Sequence, residues 1–88
     1  MTKILLVEDE ESLARGLVDV LRVNGYEVGW ESDGNAGLAA ALEVAPDLIL
    51  LDVELPGLNG FEILKAVREA GGDSRILMLT ARGSEMLE

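Results

Sequence analysis

Runs of consecutive apolar residues alternate with longer segments of helical spacing along the chain. Runs of four large apolar residues occur three times, and they predict strands at about 3–7, 47–51 and 75–79 that are buried on both faces of a sheet. A fourth stretch alternates apolar and polar residues, which predicts a half-buried edge strand at about 26–31 with Trp30 packing at that edge.

The segments between these runs predict three helices. The first covers about 10–23, the second ends before Pro46, and the third opens near Phe61. Their expected inward faces are, in chain order, Leu13, Leu17, Val20 and Leu21; Leu38, Ala41, Leu42 and Ala45; Ile63, Leu64 and Val67. The alternation of strands and helices predicts one α/β domain over residues 1–88, built on a parallel sheet.

Each buried apolar run stops at an oxygen-bearing side chain. Glu8 and Asp9 follow the first run, Asp52 follows the second, and Thr80 follows the third. Because the carboxyl ends of neighbouring parallel strands meet at one rim of the sheet, we expect these side chains to converge there. Two carboxylates about 4 Å apart repel by roughly 4 kcal/mol at an effective dielectric near 20. A cluster of this kind therefore predicts a hard cation beside it.

Composition narrows the classes of function. The chain has 17 acidic and 7 basic residues and a net charge of −10, which opposes direct binding to nucleic acid or to an anionic membrane. It has no cysteine, so it can form neither a disulfide nor a thiolate zinc site, and this is compatible with the cytoplasm. It has no histidine that could carry a phosphoryl group. The apolar run near its start is too short for a signal peptide or a membrane span.

The ends of the three buried runs lie in three segments, Ile4–Glu10, Leu50–Gly60 and Leu79–Arg82. Together these segments strongly resemble the receiver domain of two-component response regulators. The residues at 8–10 and 80–82 are most similar to regulators whose effector is a winged-helix DNA-binding domain. The resemblance implies a flavodoxin-like parallel sheet of order 2-1-3-4 with helices on both faces. The family's fifth strand with its lysine, and its last helices, have no counterpart in these residues, so we interpret the chain as the N-terminal portion of a receiver domain.

The resemblance also implies a role for each residue at the rim. Asp52 would accept a phosphoryl group from the phospho-histidine of a sensor kinase. Asp9, Asp52 and the backbone carbonyl of Glu54 would hold Mg²⁺, with Glu8 acting nearby through a bound water. Thr80 would donate its hydroxyl to a phosphoryl oxygen. Members of the family catalyse their own phosphorylation and are not otherwise enzymes, and without the lysine we expect this reaction to be slow or absent.

The end of the chain suggests a further interaction. Few residues follow the strand at 75–79, so we expect its outer edge to be open and to form a homodimer through that side. The alternative is that residues 84–88 fold back over the edge.

Other interpretations remain open at this point. Residues 8–11 taken alone read as the cap and acidic first turn of a helix, and Asp52 before a Pro-Gly loop reads as turn chemistry. An FMN-binding flavodoxin would have a phosphate loop where this chain has four acids. A dehalogenase-type phosphohydrolase would need a different residue at Glu54. The main rival is a non-signalling folded module or dimerisation module that retains a metal-binding acidic pocket.

Overall fold

A computed structural model describes residues 1–79 of the chain together with the backbone of residues 85–87. Eight elements follow one another, and their bounds are β1 (Lys3–Val7), α1 (Glu11–Val23), β2 (Glu27–Glu31), α2 (Gly34–Val44), β3 (Leu48–Asp52), α3 (Gly60–Glu69), β4 (Arg75–Leu79) and β5 (Glu85–Leu87). Across the described residues, none of the helices combines the length and the apolar character needed to cross a membrane.

The strands form a single sheet in the order β2-β1-β3-β4-β5. The first four strands in this order run parallel to one another, with Leu6 opposite both Trp30 and Leu50. The predicted order 2-1-3-4 is therefore confirmed, and β2 lies at the edge as its alternating pattern predicted. The bounds of β1 and β4 are those expected, while β3 begins and ends one residue later, so that Asp52 is its last residue.

The expectation of an open edge at β4 was wrong. The three residues of β5 pair with β4 in antiparallel register, with Met78 opposite Met86. An antiparallel partner needs only a short return of the chain, whereas a parallel partner needs a long crossover. We expected a homodimer through this side because the edge of β4 would be unpaired. Since β5 pairs with that edge, this reason for a homodimer no longer applies.

Helices cover both faces of the sheet, as predicted. On one face, Leu5 and Val7 of β1 pack in a cluster with residues of α2 and α3 that include Ile63 and Val67. On the other face, the alternate residues of β1 pack in a second cluster to which α1 contributes. Because successive side chains of a strand point to opposite faces, both sides of the apolar run are used.

Helix α1 is turned from the orientation that we predicted. Its buried residues are Ala14 and Val18, with Leu17 and Leu21 partly buried beside them. Leu13 and Val20, which were predicted to face inward, are 47% and 59% exposed. The helix thus approaches the sheet through a stripe that includes small residues, which a search for large apolar side chains does not find.

The second helix packs through still smaller residues. Its buried positions are Gly34, Gly37 and Ala41, whereas Leu42 is 48% exposed. A Cβ added at Gly37 would lie 2.6 Å from Cγ1 of Val7 on β1. The glycine is therefore what allows α2 to lie close against the sheet.

Two glycines hold the loop that follows β3. The N–H of Gly34 donates to the carbonyl of Pro56 at 2.9 Å, and a Cβ at Gly34 would lie 1.9 Å from the carbonyl oxygen of Leu58. At the other end of the loop, a Cβ at Gly60 would lie 2.7 Å from the carbonyl oxygen of Asp52. The start of α2 therefore packs directly against the middle of the loop that follows Asp52.

We expect Gly34→Ala to lower the free energy of unfolding by about 2–3 kcal/mol, because the new methyl group meets backbone atoms that cannot turn aside. Gly16→Ala is the matched control. Gly16 lies in α1 with open space around its Cβ position, so the same change there should raise stability by about 0.5–1 kcal/mol. Urea denaturation measures both changes, and a Gly34→Ala variant as stable as the wild type would contradict the close packing described here.

Candidate functional site

A cleft lies at the rim formed by the carboxyl ends of β1, β3 and β4. Its volume is about 370 Å³. The residues that line it are Glu8, Asp9, Glu10, Leu13, Asp52, Glu54 and Leu79. The parallel pairing of β1 with β3 and of β3 with β4 brings these strand ends together, as expected for ligand sites of open α/β sheets.

Three carboxylates meet in this cleft. Glu8, Asp9 and Asp52 each offer one oxygen atom, and these atoms all lie within 4.8 Å of one another. Glu8 is buried, Asp52 is half-buried and Asp9 is exposed. The structure therefore brings together the three acids that were predicted to converge, while their roles as metal ligands or phosphoacceptor remain predictions.

Glu8 is the most enclosed of the three, with only 4% of its surface exposed. Its Oε2 accepts a hydrogen bond from the backbone N–H of Glu10 at 3.1 Å. Burial raises the pKa of the Glu8 carboxyl to about 7, and the nearby charge of Asp52 acts in the same direction, although the bond from Glu10 opposes them. An ionised Glu8 is thus costly unless a positive charge lies beside it.

The main chain of Glu8 is held by β2 on both sides. Its N–H donates to the carbonyl of Glu31 at 3.0 Å, and its carbonyl accepts a hydrogen bond from the indole Nε1–H of Trp30 at 2.8 Å. The prediction for Trp30 was edge packing alone, and the bond was missed. The available signal was its position on β2, the neighbour of β1, close to the carboxyl end where the acids begin.

The remaining acids of this segment have a structural role. Both side-chain oxygens of Glu10 accept bonds from backbone N–H groups, those of Ser12 and Leu13, so Glu10 caps α1. Glu11 forms an exposed ion pair with Arg15 at 2.7 Å in the first turn. The interpretation of residues 8–11 as a helix cap therefore holds for the second pair of acids, while the first pair faces the cleft.

Asp52 occupies the last position of β3, opposite Leu79 of β4. Its Oδ1 accepts a hydrogen bond from the backbone N–H of Glu54 at 3.2 Å, and the N–H of Val53 donates to the carbonyl of Leu79 at 3.0 Å. Glu54 lines the cleft, and the role of its carbonyl as a metal ligand stays a prediction. Thr80, the predicted phosphoryl hydroxyl, lies outside the described residues.

The donor set suits a small divalent cation. Mg²⁺ prefers oxygen ligands, is commonly held by one or two carboxylates, and retains several waters that can give way to phosphate oxygens. A cleft open to solvent on one side leaves room for those waters and for a phosphoryl group. The cluster thus fits a divalent cation better than an anion alone, which three carboxylates would repel.

A family model and curated relatives identify the same kind of protein. The model of the response regulator receiver domain matches residues 4–88. The transcriptional regulatory protein YkoG of Bacillus subtilis is 47% identical over 81 residues, which are 92% of this chain and 36% of the relative. The sensory transduction protein RegX3 of Mycobacterium tuberculosis is 44% identical over 86 residues, or 98% of this chain and 37% of the relative. The chain thus spans little more than a third of these relatives.

Solved structures agree with the fold. The chemotaxis response regulator CheY4 of Vibrio cholerae superposes with a TM-score of 0.89 at 40% identity, over 96% of this chain and 72% of that one. The response regulator TrrA of Thermotoga maritima, solved in complex with Mg²⁺-BeF, gives a TM-score of 0.85 at 34% identity, over 92% of this chain and 70% of that one.

The raised pKa of Glu8 predicts a pH-dependent stability when divalent metal is removed by a chelator. The folded protein holds the proton of Glu8 more tightly than the unfolded chain does. The contribution of this carboxyl to the free energy of unfolding is therefore fully present below pH 4.5, and it is lost as the pH rises to about 7. The full shift corresponds to on the order of 3 kcal/mol. We expect Glu8→Gln to remove this loss and to be more stable than the wild type near pH 8.

Urea denaturation in chelator at a series of pH values measures the effect. Glu43→Gln is the matched control, because Glu43 is an exposed residue of α2 and the chemical change is the same. The control should retain the wild-type pH dependence. A Glu8→Gln variant that loses stability with pH as steeply as the wild type would show that Glu8 is not the group responsible.

Proposed function

Since the chain belongs to the family of response regulator receiver domains, we propose that it is a phosphoacceptor signalling switch in which Asp52 receives a phosphoryl group from the phospho-histidine of a sensor kinase. The observation that carries this proposal is the convergence of Glu8, Asp9 and Asp52 in one cleft at the carboxyl rim of the sheet. A carboxylate in such a place is a suitable covalent acceptor, because it can form an acyl phosphate.

In the proposed step, an oxygen of Asp52 attacks the phosphorus atom of the phospho-histidine. A P–O bond forms and the P–N bond breaks, and its electron pair leaves with the imidazole nitrogen of the kinase. Asp52 suits the attack because it is half-buried, so that it is both held and reachable. The N–H of Glu54 fixes its Oδ1, which sets the orientation of the carboxylate toward the incoming group.

The residues present fit Mg²⁺, which would offset the repulsion between the carboxylates and the incoming phosphoryl group. In this proposal Asp9, Asp52 and the backbone carbonyl of Glu54 would bind the cation, and Glu8 would act through a water. Thr80 would donate a hydrogen bond to a phosphoryl oxygen.

The partners and the location form part of the same proposal. The relatives YkoG and RegX3 are described as a transcriptional regulatory protein and a sensory transduction protein. We propose that this domain serves such a regulator in the cytoplasm, with the kinase as its partner. The net charge of −10 makes the domain itself a poor binder of nucleic acid or of an anionic membrane surface.

Incubation with acetyl phosphate and Mg²⁺ should add the mass of one phosphoryl group to the intact protein. Asp52→Asn should abolish it, because the amide is not a nucleophile of comparable strength. Chelation of Mg²⁺ should reduce it at least about tenfold, as expected when the phosphoryl charge is left without a cation. Intact-protein mass spectrometry measures the adduct.

Asp73→Asn is the control for this experiment, because Asp73 is exposed and precedes the opposite end of β4. It should form the adduct at the wild-type rate. Mg²⁺ binding without any adduct would instead favour the rival function, a non-signalling module that retains an acidic metal pocket. An adduct that survives Asp52→Asn would show that Asp52 is not the acceptor.

A further inference from the structure

Trp30 reaches the candidate site without lying in it. It is half-buried on β2 and packs against the cluster that joins β1 to α1. Beside it is a small cleft of about 230 Å³, and the residues that line this cleft with it are Arg15, Val18, Asp19 and Arg22 of α1. The indole ring is therefore wedged between the edge strand and the first helix, with its N–H directed at the end of β1.

The hydrogen bond from Trp30 ends on the peptide that joins two of the three clustered acids. The carbonyl of Glu8 accepts it at 2.8 Å. A peptide unit is planar, so the atoms from the Cα of Glu8 to the Cα of Asp9 lie in one plane with that carbonyl. Restraining the direction of the carbonyl therefore restrains the rotation of this peptide plane, and with it the position of the Cα of Asp9, from which the second carboxylate extends.

Other contacts hold the residues that form this hydrogen bond in place. The N–H of Glu8 is bound to the carbonyl of Glu31, so β2 holds the residue from both of its main-chain groups. Arg22 of α1 donates from Nη2 to the carbonyl of Val28 at 3.0 Å, which ties the helix to the strand that carries Trp30. Through the bond from the indole, the positions of β2 and α1 therefore determine where the carbonyl of Glu8 lies.

We infer that Trp30 is a positioning residue for the acidic cluster, whose indole N–H sets the orientation of the Glu8–Asp9 peptide and so prepares the two carboxylates to bind a divalent cation. The inference rests on the proposed metal site. In this arrangement the affinity for the cation depends on one N–H group that does not itself contact the cation. Removal of that group leaves the peptide free to turn, and cation binding must then restrict it.

The test replaces one atom. Because Trp30 is the only tryptophan, the protein can be produced with the isosteric amino acid benzothienyl-alanine, in which sulfur stands in place of the indole N–H. We expect Mg²⁺ affinity by titration calorimetry to fall about three- to tenfold, the range that corresponds to the net contribution of one hydrogen bond. Trp30→Phe, which also lacks the donor, should show a loss at least as large.

Val18→Ala is the matched control for packing. Val18 belongs to the same apolar cluster and lines the same small cleft, but it is not among the residues that line the acidic cleft. It should lower the urea midpoint in chelator and leave the Mg²⁺ affinity unchanged. The isostere should do the reverse, with a small change in midpoint and a clear loss of affinity, which a purely structural role for Trp30 would not produce.

A magnetic resonance experiment supplies a second measurement. The single indole N–H of the wild type gives one cross-peak, and addition of Mg²⁺ should shift it, since the bond it makes ends beside the cation site. An isostere with wild-type affinity, or an indole signal that Mg²⁺ leaves unmoved while the protein binds the ion, would overturn the role of Trp30. A wild type that does not bind Mg²⁺ at all would instead overturn the proposed metal site.

Discussion

The parallel pairing of β1 with β3 is the constraint on which the rest of the site depends. It places Val7 opposite Leu51, so that Glu8 and Asp9 after Val7 emerge at the same rim as Asp52 after Leu51. The pairing is stabilised by apolar side chains on both faces of the two strands, which are buried in two separate clusters. Hydrophobic burial therefore holds the carboxylates together against their mutual repulsion. This arrangement buries the carboxyl group of Glu8, and the burial raises the pKa of that side chain.

Much of this arrangement could be predicted from the pattern of residues. The consecutive apolar runs gave the limits of β1 and β4, and the acids after the first and second runs gave the position of the cleft. These features are predictable because the strand period and the common direction of parallel strands are fixed by backbone geometry. The face of α1 that packs on the sheet could not be predicted in this way, because Ala14 contacts the sheet while the larger Leu13 lies at the rim of the cleft.

The contacts between the loops and the neighbouring helix or strand could also not be predicted from the pattern of residues. The approach of Gly34 to the loop after Asp52 depends on how α2 lies against the sheet, and the bond from Trp30 to Glu8 depends on a side-chain direction. Both involve residues distant in sequence and both act on backbone carbonyls, so no spacing rule indicates them. The return of β5 against β4 was given as an alternative, but the apolar character of β4 alone did not select it.

The two main-chain contacts act on the two segments whose acids line the cleft. Trp30 holds the turn after β1, and Gly34 allows α2 to hold the loop after β3. The sheet alone determines where each strand ends, but a strand end leaves the next peptide free to rotate. A metal site with tight geometric demands needs those peptides fixed before the ligand arrives, since ordering them later would weaken binding. The edge strand and the second helix therefore contribute to the site through the main chain, although their side chains lie outside the acidic cluster.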